Sequence, residues 1–91
     1  MGVSKLTDAV DRIKALECPA ANLQNRIAGI LEDYGVASRD EIRVYREMQF
    51  DRDGAQAYGA EVPGGDGKSV IILAKTGMDD YVAKVTDAYL S

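Results

Sequence analysis

The stretch "TGMDDYVAKVTDAYLS", residues 76 to 91, decides whether the chain closes with a helix or with one more strand. Met78, Tyr81, Val82, Val85 and Tyr89 recur at steps of three and four, which lays them along one face of a helix. Asp79 and Asp80 then fall in the first turn, where the helix dipole favours negative charge, and Thr76 and Asp79 have the spacing of a capping box, with Asp in place of the usual Glu or Gln. The pattern predicts a C-terminal helix.

Working back from it, "KSVIILAKT" is a continuous β-branched and apolar run, the composition of a central strand covered on one face and partly shielded on the other. The preceding segment, Ala55 to Val62, reads as a weaker strand of small residues in which Tyr58 is the only large side chain. Gly59 inside it marks a bulge or a close approach by another element. Asp53 and Gly54 supply the positive backbone angles of a tight turn before that strand, and "PGGDG" reads as the turn after it.

Residues 38 to 50, "SRDEIRVYREMQF", admit two readings. Ile42, Val44, Met48 and Phe50 alternate with Arg43, Tyr45, Glu47 and Gln49, and only Arg46 breaks the apolar side, so strand is the first choice. The helical alternative rests on the capping-box spacing of Ser38 and Glu41 and on Arg39, Arg43 and Arg46 recurring along one side. Upstream, Val3, Leu6, Val10, Ile13 and Leu16 predict one amphipathic helix, and Leu23, Ile27, Ile30, Leu31 and Tyr34 a second that opens near Pro19. Gly35 and Val36 have the form of its left-handed cap. The expected fold is a single α+β domain over residues 1–91: two N-terminal helices, a three-stranded antiparallel β-meander and a C-terminal helix packed on one sheet face as a two-layer sandwich.

Composition narrows function. Hydrophobic residues make up 46% and charged residues 29%, the balance of a folded domain. No apolar run approaches the roughly 20 residues of a membrane-spanning helix, and no signal peptide is visible, so a cytoplasmic protein without membrane contact is expected. The net charge is −4, and an acidic chain is poorly suited to binding phosphate backbones. The chain has no histidine and one cysteine, Cys18, which removes the usual general base and the usual zinc ligands. With no base to activate it, Cys18 reads as a small apolar residue before Pro19.

Motifs for cofactors fail on inspection. "GDGKS" ends like a phosphate-binding loop, but Val62 stands where its first glycine is required and a strand rather than a helix follows Ser69. "DRDG" places Gly54 at the fourth position, where a calcium loop needs glycine at the sixth. The order helix, three strands, helix is similar to that of the double-stranded RNA-binding domain, whose terminal helix opens with a basic cluster. "TGMDDYVAK" carries two aspartates in that place, so the likeness is one of topology alone. No catalytic, cofactor or metal site is expected.

What stands out is a zone of mixed charge and aromatic character around the first strand and its turn: Arg39, Arg43, Tyr45, Glu47, Asp51, Arg52 and Asp53. Arg and Tyr are the residues that most often carry interface energy, and a strand at a sheet edge also exposes its backbone to another chain. The first expectation is a small, acidic, noncatalytic protein that binds and modulates or inhibits another macromolecule, in the manner of inhibitors carried by phages and mobile elements, some of which occupy clefts built for nucleic acid. The helical reading of residues 38 to 49 leads instead to a winged helix-turn-helix regulator with Arg39, Arg43 and Arg46 toward DNA. A third expectation is a small subunit or assembly factor of a larger complex, whose exposed sheet is completed by a protein partner or by its own copy in a homodimer.

Overall fold

A computed structural model describes residues 2–63, 69–77 and 81–90. Helix α1 (Gly2–Lys14) and helix α2 (Leu23–Asp33) lie against a five-stranded antiparallel sheet formed by β1 (Glu17–Pro19), β2 (Arg43–Arg46), β3 (Gln56–Glu61), β4 (Ser69–Thr76) and β5 (Val82–Leu90). Spatial order is β1-β5-β4-β3-β2, so the apolar β4 is central and β1 and β2 form the two edges.

The expected C-terminal helix is corrected: Val82–Leu90 is a strand, and the three-stranded meander is a sheet of five. Its physical cause is a β-bulge. Leu73 pairs with Asp87 while Ala74 pairs with Val85, which leaves Thr86 as the extra residue. The bulge shifts the phase of the alternation, so the buried residues Ala83, Val85 and Ala88 follow at steps of two and three and the apolar pattern imitates a helix. Two large side chains that the helical reading placed inward stand outside, Tyr81 at 74% and Val82 at 42% exposure. The aspartates expected to cap that helix, Asp79 and Asp80, lie outside the described residues, as does Met78.

A second correction concerns "ECPAAN". Pro19 does not open a helix but closes β1, and a single 3-10 turn, Ala20–Asn22, separates it from α2. A three-residue strand is too short to announce itself by alternation. At the other end of α2 the cap forms as expected: Gly35 has φ of +72°, its N–H donates to the Glu32 carbonyl at 2.9 Å, and the Val36 N–H donates to the Leu31 carbonyl at 3.0 Å.

The main core lies between the helices and one sheet face. Ile13 of α1 and Leu23, Ile27 and Leu31 of α2 pack with Val70 and Ile72 of β4 and with Ala83, Val85 and Ala88 of β5. Each large aliphatic side chain so buried stabilises the fold by about 1.5–3 kcal/mol. The opposite face carries a smaller cluster, Ala55, Ala57, Ile71 and Leu73, with Phe50 and Tyr89 packed against it. No helix among the described residues is long and apolar enough to cross a membrane.

Turn expectations fare better. Asp53 and Gly54 have φ of 52° and 79°, and Arg52 and Ala55 exchange hydrogen bonds of 3.2 and 2.8 Å, the arrangement of a two-residue hairpin. This hairpin sits within the connection from β2 to β3 rather than joining the strands directly. Of the "PGGDG" stretch expected to turn, residues 64 to 67 lie outside the described residues, but Glu61 of β3 pairs antiparallel with Ser69 of β4. A strand therefore follows Ser69, where a phosphate-binding loop requires a helix.

Candidate functional site

Residues 38 to 50 resolve into three short pieces: a 3-10 turn (Arg39–Glu41), β2, and a second 3-10 turn (Met48–Phe50). The capping-box spacing is real but caps only the first turn. Both the Ser38 N–H (3.2 Å) and its hydroxyl (2.8 Å) donate to Glu41 Oε1, and the Ser38 hydroxyl holds the Glu41 carboxyl below its usual pKa. Ile42 and Val44 then face the main core, while Met48, expected on the same side, is 71% exposed because the strand has already ended.

β2 is the last strand of the sheet, paired on one side only, with Arg43 opposite Glu61, Val44 opposite Ala60, Tyr45 opposite Gly59 and Arg46 opposite Tyr58. The Glu47 N–H donates to the Ala57 carbonyl at 3.0 Å and continues that register. In an antiparallel ladder alternate residues turn their main chain toward the neighbour. Arg43, Tyr45 and Glu47 therefore direct theirs at β3, and Val44 and Arg46 direct theirs outward. Side chains alternate as well, so Arg43, Tyr45 and Glu47 share the face away from the helices.

Tyr45 is held by packing. A Cβ on Gly59 would stand 2.8 Å from the Tyr45 ring, so the ring lies directly over that glycine and away from the open edge. Of the two readings for Gly59, close approach is the one realised; the β2–β3 and β3–β4 registers run through it without a bulge.

Arg46, the residue that broke the apolar pattern, fastens the end of the strand. Its guanidinium donates to both Asp51 carboxylate oxygens, at 2.9 and 3.0 Å, and to the Ala57 carbonyl at 2.7 Å, and it lies 5.3 Å from the centre of the Tyr58 ring. Asp51 Oδ1 also accepts the Ala57 N–H at 2.6 Å. These two donors, Arg46 first, push the Asp51 carboxyl down to about 2. The side chains are about one-third exposed, at 33% and 35%, so solvent screens the pair and geometry counts for more than charge.

The expected cluster thus divides. Arg43, Tyr45 and Glu47 form one row on β2. Asp51 belongs to the Arg46 clamp. Arg39 is tied to α2, its N–H donating to Glu32 at 3.2 Å and its guanidinium to Asn25 Oδ1 at 3.0 Å. Arg52 and Asp53, on the hairpin, border a recess of about 220 Å³ with Leu73, Lys75, Thr86 and Asp87, where Arg52 approaches Asp87 at 4.0 Å. The bulge at Thr86 helps shape that recess. Cys18 is buried, and burial raises its thiol pKa, which fits a packing residue rather than a thiolate.

Sequence reasoning passed over Arg46 as a defect in an apolar row. The signal was present in that very misfit, since a charged residue on the inward side of a strand needs a partner. Compared with protein-family models, curated proteins and solved structures, the chain matches none, and its functional reading rests on its own residues.

Proposed function

We propose that this chain is a noncatalytic protein that binds another protein and modulates it, with β2 as the edge on which an extended segment of the partner docks. The observation that carries the reading is a terminal strand whose outward backbone groups, at Val44 and Arg46, are paired with no other strand among the described residues. Strand addition draws affinity from such main-chain groups and specificity from alternate side chains, here Arg43, Tyr45 and Glu47. A net charge of −4 favours a protein or a basic cleft over a phosphate backbone, and the absence of histidine supports a role without acid-base catalysis.

The winged helix-turn-helix reading loses its premise, because residues 38 to 49 form no helix on which Arg39, Arg43 and Arg46 could line up. The test is Val44→Pro, which removes one outward N–H and none of the bonds to β3. In capture from nuclease-treated lysate, a protein held by the wild type and lost by the folded variant supports the proposal. Equal capture by both, or recovery of nucleic acid instead of protein, overturns it.

A further inference from the structure

We propose that, in the absence of that partner, β2 is occupied by a second copy of this chain, paired antiparallel through β2 about a two-fold axis at Tyr45. This rests on the reading of β2 as a docking edge and adds the occupant and register that hold while the other protein is away. For two copies to continue one sheet with their helices on the same side, the axis must pass through a residue of β2, since directly opposed residues share a face.

Three choices of axis exist near the middle of the strand, and the side chains discriminate among them. An axis at Val44 sets Arg43 opposite the partner's Tyr45, which leaves the charge unmatched. At Arg46 it sets two guanidinium groups against each other, and like charges directly opposed are unfavourable. At Tyr45, Arg43 stands opposite the partner's Glu47 and Glu47 opposite the partner's Arg43. The row Arg43, Tyr45, Glu47 is therefore complementary to its own reverse.

The backbone selects the same axis. Val44 and Arg46 are the residues whose main chain turns outward, as fixed by the Glu47 N–H to Ala57 carbonyl bond and the β2–β3 register. About Tyr45, Val44 of each copy meets the partner's Arg46 as a hydrogen-bonded pair, so the outward N–H and C=O groups of both residues are satisfied in both copies. The two Tyr45 residues then form the closely spaced pair that lacks hydrogen bonds. Their rings do not obstruct it, because each leans over its own Gly59.

Pairing over so few residues belongs at the small end of interface sizes, so association is expected at a dissociation constant on the order of 0.1 mM. Sedimentation equilibrium of the full chain from about 10 µM to about 1 mM reads it directly. The wild type rises toward twice the monomer mass. Arg43→Glu alone and Glu47→Arg alone each associate at least tenfold more weakly, because each sets like charges across the axis. Mixed in equal amounts they recover association, since one chain then carries two acids and the other two bases at the facing positions. That recovery also controls for folding. A wild type that stays monomeric over the whole range, or single variants that associate as well as the wild type, overturns the dimer. If it falls while Val44→Pro still abolishes capture of a different protein, the docking edge stands without this occupant; if Val44→Pro has no effect either, both readings fall.

Discussion

The two edges of the sheet differ in what they offer another chain. β1 has three residues, and the β1–β5 register together with the Val85 N–H to Leu16 carbonyl and Ala20 N–H to Tyr81 carbonyl bonds turns the main chain of Glu17 and Pro19 outward. Pro19 has no N–H, so an outward donor position is blank. β2 has four residues and no proline, and both of its outward positions carry full donor and acceptor groups. Sheet edges invite pairing unless something blunts it. Proline and shortness close β1. β2 is bordered by charged side chains and clamped by Arg46, which steadies the strand without covering its backbone.

The strongest way to break this contrast is to release the clamp. Arg46→Ala removes three hydrogen bonds at a third-exposed site and is expected to lower stability by about 1–2 kcal/mol, read from the urea midpoint. Acid does the same reversibly. The folded Asp51 carboxyl is depressed to about 2 from an ordinary 3.8, so its contribution is complete above about pH 4 and is lost as pH falls toward 2. In an Arg46→Ala background that part of the acid dependence shrinks, which a pair of pH-melting series would resolve; identical series in the two proteins contradict the clamp.

A smaller effect sharpens the contrast from the other side. Pro19→Ala gives β1 its missing outward N–H and frees the unfolded chain, so stability is expected to fall by about 0.4–1 kcal/mol while association through β1 increases. The cost is read from thermal unfolding and the association from sedimentation. No change in either would mean that Pro19 does not guard that edge.

How far these edges were legible in the sequence depended on length and phase. β4, the Asp53–Gly54 turn, and the helix ending at Gly35 each carry a local pattern that tertiary structure did not alter. Strand was the better reading of 43–46, and alternation alone grouped Arg43, Tyr45 and Glu47 on one face. β5 was misread because the bulge at Thr86 converts a two-residue period into spacings that fit a helix, and β1 was missed because three residues hold no period at all. The Arg46 clamp depends on the turn Met48–Phe50 bringing Asp51 back beside the strand, a geometry that no spacing rule encodes. Arg39 was grouped with the edge by proximity in sequence, whereas Asn25 and Glu32 draw it to α2.

Amide hydrogen exchange along β2, followed by NMR in dilute solution and again at high protein concentration, tests the open edge most directly. The account predicts that in dilute solution the N–H groups of Tyr45 and Glu47 are protected by β3, while those of Val44 and Arg46 exchange near the rate of an open chain and slow as concentration rises. Protection of Val44 and Arg46 in dilute solution equal to that of Tyr45 would mean that the edge is already covered, and would contradict it.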